Sequence, residues 1–382
     1  MRLLLVLEAC GAGAGRHVID LAGGLIRRGH DVSLIYSADR AEDWFIDALG
    51  FMPKLTKREL PMQRAVGFHD LKAIRDLQGL IDEMGPFDVV HGHSSKAGAL
   101  LRIAASRGRA ARVYTPHAAI TMNPALRSWV RAIYGAIERL LGRYCEGIIC
   151  VSALERDHLA QQGLPEEKLR VVPNGIGRLP HVDRDAVRRR LGVDRQTVCF
   201  GWVGRVSPQK SVDRIISAYA MAEARMPDTH LVIVGDGPLL ASAKNQARTL
   251  GIAKHVSFTG HADGIEMMAA FDAFLLPSRY EAMPYVLLEA AASGLPIVMT
   301  NVGGAHEVVR HGENGFVLPE PDVELLADHL TALARSPELR SAMSRCSIEI
   351  GRQFDIDRMV DETVRVYEDF RAAAKTPAAV AQ

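Results

Sequence analysis

The stretch Ser278-Arg-Tyr-Glu281-Ala-Met-Pro284-Tyr-Val-Leu-Leu-Glu289-Ala-Ala-Ala-Ser-Gly294-Leu-Pro296 follows a mostly apolar run, Phe271 to Leu276, that reads as a buried strand. Proline suits the first turn of a helix, where its missing N–H needs no partner and its φ is already helical. A helix is therefore predicted to begin at Pro284 and to be closed by Gly294 and Pro296. Glu281 then stands in the loop at the strand's carboxyl end. Glu289 lies more than one turn into the helix, at about 1.5 Å of rise per residue. Strand, loop and helix in this order build parallel α/β sheets, whose ligands gather outside the carboxyl ends of the strands. The free N–H groups of the helix start attract phosphate.

The same order recurs along the chain. Leu3 to Leu7 is an apolar run, followed by Gly11-Ala-Gly13-Ala-Gly15 and a helix with Val18, Leu21, Ala22, Leu25 and Ile26 at helical spacing. Val32 to Tyr36 is the next strand. Phe87 to Val90 leads into His91-Gly-His93-Ser-Ser-Lys96, and Arg112 to Thr115 into Pro116 and His117. Gly147 to Val151 is capped by Ser152, with Glu155 at capping-box spacing. Turn residues Pro173-Asn174-Gly175 and a charged stretch through Arg190 mark a boundary, after which the pattern restarts at Val198 to Val203, Leu231 to Val234, Val256 to Phe258 and Pro296 to Met299. The reading is α/β, two Rossmann-like doubly wound domains facing across a cleft. Residues 1–180 form the first, 190–352 the second, and 353–382 a closing helix.

Composition narrows the function. Forty-six basic against forty-five acidic residues among 382 give no support for a nucleic-acid partner. Five cysteines without a C-x-x-C pair predict neither disulfides nor a zinc site, which suits a cytoplasmic protein. No run approaches the ~18 apolar residues of a membrane span. Any membrane contact is then from the side, at the inner face of the cytoplasmic membrane. The helix 126–143 invites two readings. Trp129, Val130, Ile133, Tyr134, Ile137, Leu140 and Leu141 share one side, with Arg127, Arg131, Arg139 and Arg143 largely off it. Such a helix either packs on its own domain or lays a basic face on anionic lipid.

The glycines from Gly11 to Gly15 do not make a dinucleotide fingerprint, because Arg16 stands where its last glycine belongs and Tyr36-Ser37 stand where an acid should end the second strand. They leave a close-approach loop. Arg205 and Lys210 flank Ser207-Pro208, a helix-start pair, and suit a diphosphate that one cation grips in a fork and the other as a point charge. Glu281 and Glu289 can accept hydroxyls of a sugar and a ribose. His91-x-His93 lacks a carboxylate or cysteine at supporting spacing, so no metal site is expected.

In this order the motifs resemble the retaining glycosyltransferases of family 4, which have the GT-B fold. The resemblance rests on the E-x7-E pair Glu281 and Glu289, on Gly204-Arg205 with Lys210, and on Thr115-Pro116-His117, Val172-Pro-Asn-Gly175 and Val234-Gly-Asp-Gly-Pro238. It implies transfer of a sugar from a UDP- or GDP-sugar to a hydroxyl acceptor with retention of configuration, without metal or further cofactor. Arg205 and Lys210 would hold the diphosphate, Glu281 the donor sugar and Glu289 the ribose, and His117 would help position the sugar. Backbone groups at Gly13, Gly15, Met283, Pro284, Tyr285, Val286 and Leu287 would approach the donor. Where the family usually has glycine after the first glutamate this chain has Ala282, which bears on how closely the backbone can approach there. The nearest analogy is to members that extend lipid-linked saccharides in surface-polysaccharide synthesis. A sugar-nucleotide epimerase of similar fold and a non-catalytic sugar-nucleotide-binding protein are the alternatives.

Overall fold

The protein is described by a computed structural model covering residues 1–63, 65–105, 109–226 and 228–375. It divides into two compact units, Met1–Gly175 with Ile356–Gln382, and Ile176–Asp355.

The first unit holds a seven-stranded sheet of β1 (Arg2–Leu7), β2 (Asp31–Tyr36), β3 (Thr56–Glu59), β4 (Val89–His93), β5 (Ala111–Thr115), β6 (Gly147–Cys150) and β7 (Leu169–Val171). Their order is β3-β2-β1-β4-β5-β6-β7, every pairing parallel. The continuous apolar run of β1 reflects helices on both sheet faces. Leu3, Leu5 and Leu7 join Val18, Leu21 and Leu25 on one side, and Leu4 and Val6 join Leu77, Leu100 and Leu101 on the other. The last helix, Ile356–Lys375, adds Val360, Tyr367 and Phe370 to the first of these cores. Its approach is close enough to require glycine opposite it, since a Cβ on Gly24 would meet Val360 at 2.4 Å. At the exposed rim Arg28 pairs with Asp357 and Asp361.

The second unit holds β8 (Val198–Val203), β9 (Thr229–Val234), β10 (Val256–Gly260), β11 (Ala273–Leu276), β12 (Ile297–Thr300) and β13 (Gly315–Leu318), ordered β10-β9-β8-β11-β12-β13 and again parallel. Phe200, Trp202, Ile215, Tyr219, Leu231 and Leu330 belong to its core.

Both sheets reverse winding direction once, between β1 and β4 and between β8 and β11. At such a switch point the flanking loops diverge and leave a crevice at the strands' carboxyl ends. Arg205 and Glu281 stand on such loops of the second unit, after β8 and β11, and His117 on the neighbouring loop after β5 of the first.

Several local expectations are corrected. The charged stretch read as a boundary contains a helix of the second unit, Arg184–Leu191, whose N-terminus is capped by the Asp183 carboxylate. His91 and His93 lie inside β4, two residues apart and therefore on one face of it. The first helix starts at Ala12, so Gly13 and Gly15 are helical and the N–H of Gly15 is taken by Gly11. Helix 126–143 spans Ser128–Leu141, and its apolar side does not pack inward as a whole: Trp129, Ile133, Ile137 and Leu140 are exposed, while Gly135, Glu138 and Leu141 are buried. The burial of Glu138 is explained by Arg102, which reaches it at 3.0 Å from inside the core.

Candidate functional site

In the second unit, β8 ends in Gly204-Arg205 and β11 ends in Ser278-Arg279-Tyr280-Glu281. The helix expected at Ser207-Pro208 is one 3-10 turn, Pro208–Lys210; Ser211 then takes a left-handed φ of 51° and the long helix begins at Val212. The kink turns Lys210 across the switch point. Its Nζ lies 2.6 Å from Glu281 Oε1, with both side chains mostly buried. Three neighbouring bonds join the same two loops: Arg279 N–H to the Gln209 carbonyl at 2.8 Å, Gln209 Nε2 to the Tyr280 carbonyl at 2.9 Å, and Arg279 Nε to Ser211 Oγ at 3.3 Å. Glu281 is further fixed by the Gly303 N–H on its carbonyl at 3.2 Å. A Cβ on Gly303 would sit 2.0 Å from the Ala282 oxygen, so only glycine fits there.

Lys210 also passes close to Gly204, with Cε 3.9 Å from where a Gly204 Cβ would be. The backbone around Arg205 is held by Gly204 N–H on Val234 and Val206 N–H on Asp236, while its guanidinium is exposed and makes no hydrogen bond or ion pair among the described residues. The helix after Glu281 begins at Tyr285, not at Pro284, which has an extended ψ of 136° and serves as N-cap. Met283, Tyr285, Leu287 and Glu289 are buried, Pro284 and Val286 half-buried. The N–H of Leu287 closes the first turn on the Pro284 carbonyl at 3.0 Å and is not available to a ligand. What remains is a buried carboxylate held by a lysine, one unengaged arginine on the neighbouring loop, and a helix start. A diphosphate fits that arrangement: it can draw Lys210 and Arg205 to its own charge and release Glu281 to accept hydroxyls.

In the first unit, four imidazoles crowd the switch point. His17 comes from the first helix, His91 and His93 from β4, and His117 from the loop after β5. Ring centroids are 3.9 Å apart for His91–His93, 4.6 Å for His17–His117 and 5.4 Å for His93–His117. His91 is bonded on both nitrogens, to Tyr367 Oη at 2.6 Å and Thr115 Oγ1 at 2.8 Å. His17 Nδ1 faces Asn174 Oδ1 at 3.0 Å, and His93 Nδ1 faces His117 Nε2 at 3.1 Å. Burial pulls the His17 pKa down to about 4 and those of His91, His93 and His117 well below the usual histidine value, so the rings are neutral near pH 7.

His117 and Ala118 both have positive φ, 54° and 80°. The turn is held by a residue that sequence reading treats only as a cap. Glu155 Oε1 accepts from Ala118 N–H at 2.8 Å and Ala119 N–H at 3.1 Å, and Oε2 from Val151 N–H at 3.0 Å. Ser152 does cap the helix, accepting from the Glu155 N–H, but the Glu155 side chain turns to the His117 loop. His17 is the other residue that sequence reading passes over.

Two doubly wound parallel units, one presenting a lysine–carboxylate pair with an unengaged arginine on a neighbouring loop, give the architecture of the GT-B class. Residues 11–177 match the model of Glycosyltransferase Family 4, and residues 183–349 that of Glycosyl transferases group 1. The D-inositol 3-phosphate glycosyltransferase of Actinosynnema mirum is 30% identical over 311 residues, 76% of this chain and 74% of that protein. The UDP-Gal:alpha-D-GlcNAc-diphosphoundecaprenol alpha-1,3-galactosyltransferase of Escherichia coli is 29% identical over 78% of this chain and 81% of its own length. Among solved structures, HepE of Anabaena in complex with UDP superposes with a TM-score of 0.81 at 24% identity, covering 97% of this chain and 100% of that one, a likeness of fold. The chain belongs to the family 4 glycosyltransferases.

Proposed function

We propose that the protein moves a sugar from a UDP- or GDP-sugar to a hydroxyl of a lipid-linked saccharide, with retention of configuration and without a metal ion. The observation that carries this reading is the Lys210–Glu281 pair at 2.6 Å with Arg205 on the neighbouring loop, because two cations and a carboxylate suit a diphosphate joined to a sugar. Glu289 takes the ribose, and His117 helps to order the sugar. The bond between the sugar's anomeric carbon and the diphosphate oxygen breaks as the bond to the acceptor oxygen forms on the same face. The acceptor's proton passes to the departing diphosphate, whose negative charge Arg205 and Lys210 stabilise. The protein supplies position and charge.

Support for a lipid-linked acceptor comes from helix Ser128–Leu141. Exposed Trp129, Ile133, Ile137 and Leu140 lie beside exposed Arg127, Arg139 and Arg143. A cavity of about 430 Å³ lined by Arg139, Arg143 and Lys168 opens at its end. Apolar and cationic side chains together match an anionic bilayer surface. Among the described residues no helix is long and apolar enough to cross a membrane. The E. coli relative, by its name, acts on a diphosphoundecaprenol-linked sugar.

Turnover of a panel of UDP- and GDP-sugars with a diphospholipid-linked acceptor tests the reading. Product of retained configuration that forms equally well in excess EDTA is expected; activity that EDTA abolishes and Mg²⁺ restores overturns the metal-free mechanism. Co-sedimentation with anionic liposomes should fall when Arg127, Arg131, Arg139 and Arg143 are changed to Gln, and unchanged binding removes the membrane contact.

A further inference from the structure

His17, His93 and His117 offer one nitrogen each, all within 4.8 Å of one another. They arrive from three separate elements, so no spacing in the sequence announces them. Two details distinguish the group from ordinary core histidines. Asn174 Oδ1 can only accept, which fixes the His17 proton on Nδ1 and leaves the lone pair on Nε2. An oriented imidazole of this kind, held through its other nitrogen by an outer group, is how metal-binding histidines are usually prepared. His93 is fully buried, yet its Nε2 has no hydrogen-bond partner. A buried polar atom left unmatched carries a desolvation penalty that a bound ligand relieves.

We propose that His17, His93 and His117 form a three-imidazole site for a borderline divalent cation, Zn²⁺ above all, and that its occupancy inhibits the protein. Three nitrogen ligands with an open fourth position for water suit zinc, whose Zn–N bonds of about 2.0–2.1 Å place tetrahedral nitrogens roughly 3.3–3.4 Å apart. The three ligand nitrogens lie within 4.8 Å of one another, so the widest pair need close by no more than about 1.5 Å. His117 is half-exposed and gives the ion its way in. Hard cations that prefer oxygen, Mg²⁺ and Ca²⁺, are excluded by the all-nitrogen donor set. The ion is no cofactor here, because it engages the ring that the proposed reaction needs for the sugar. The inhibition therefore rests on the role proposed for His117, whereas the binding does not.

Co²⁺ titration of the full-length, EDTA-stripped protein tests binding directly. One equivalent should develop the visible d–d absorption of a four-coordinate nitrogen site, displaced by stoichiometric Zn²⁺, and His17→Gln or His93→Gln should weaken binding at least tenfold. A spectrum no stronger than that of hydrated Co²⁺ overturns the site. So does binding that survives both substitutions but is lost in His311→Gln, since His311 and His329 are a second ring pair, at 6.4 Å. In a parallel assay Zn²⁺ should suppress sugar transfer and EDTA restore it. Tight binding with unaltered transfer overturns the inhibition and with it the role of His117, while the metal site stands.

Discussion

Changing Glu155 to Gln should loosen the His117 turn while leaving the second unit's chemistry alone. Glu155 is fully buried and accepts from three backbone N–H groups, two on Oε1 at 2.8 and 3.1 Å and one on Oε2 at 3.0 Å. Gln is nearly isosteric but has one acceptor oxygen. Either Val151 or the Ala118–Ala119 pair must then face an NH₂ group. A hydrogen bond to a charged acceptor contributes about 1.5–3 kcal/mol, and an orphaned buried N–H adds its own penalty. Against this, burial raises the Glu155 pKa despite the three amides, so relieving the buried charge returns part of the loss. A net destabilisation of about 2 kcal/mol is expected, or a fall in Tm of roughly 4–8 °C for a unit of this size. Turnover should drop about tenfold because His117 is no longer held, with the Kd for UDP unchanged because the residues proposed to bind it lie in the second unit. Ala118→Gly, which removes the cost of a left-handed alanine at φ 80°, should restore about 1 kcal/mol in the Glu155→Gln background. Melting and turnover both at wild-type values in Glu155→Gln would refute the positioning role.

Lys210→Met strands Glu281, whose side chain is 8% exposed, beside an apolar partner. Sugar-transfer turnover should fall by roughly 10²-fold or more, and a variant within threefold of wild type contradicts the diphosphate reading. Gly303→Ala sets a methyl group 2.0 Å from the Ala282 oxygen and 2.7 Å from that of Glu281. It should lower turnover and nucleotide affinity together, by isothermal titration, and a neutral effect would show that the Glu281 loop can move without loss. Acid should destabilise both units. His158, bonded to Thr121 at 2.7 Å, and His230, bonded to Ser257 at 2.8 Å, have pKa values lowered by burial from the usual 6.5. A depressed histidine binds fewer protons folded than unfolded, so its stability is complete above about pH 6.5 and lost as pH falls towards the folded value. Tm measured from pH 7.5 to 5 should slope downward, less steeply in His230→Gln, and a flat profile would exclude the effect.

How much of this was legible depends on where each signal lay in the chain. β1, β8 and β11 are central strands buried on both faces, so their apolar runs show them in the sequence with little ambiguity. The edge strands β3 and β13 were passed over: Thr-Lys-Arg-Glu carries no hydrophobic period, and Gly315 to Leu318 is half-exposed at its middle. Residues on loops after those central strands, Arg205, Lys210 and Glu281, could be found by position. Glu155 could not, because the capping spacing gives a sufficient local reason for a glutamate there, and only the fold reveals that its carboxylate serves a different loop. His17 was hidden likewise, on a helix whose apolar spacing accounts for every neighbour.

Backbone strain supplies a second, independent route to the same residues. Among the described residues, those other than glycine with positive φ are Ala12, Ser94, His117, Ala118 and Ser211. Each costs roughly 1–2 kcal/mol relative to an unstrained backbone and persists only where surrounding contacts enforce it. Ala12 precedes Gly13, Ser94 follows His93, Ser211 follows Lys210, and the remaining two are His117 and its neighbour. Chance placement in a chain of 382 residues would scatter five such sites over loops of every kind. All five instead follow β1, β4, β5 or β8 at the carboxyl side of a sheet, so the fold spends stability on the aim of these loops, as expected where function has set the backbone. Ala282 is absent from the group. Its φ does not require glycine, so the departure from the family's usual residue there carries no backbone strain, and the tight approach in this loop falls on Gly303 instead.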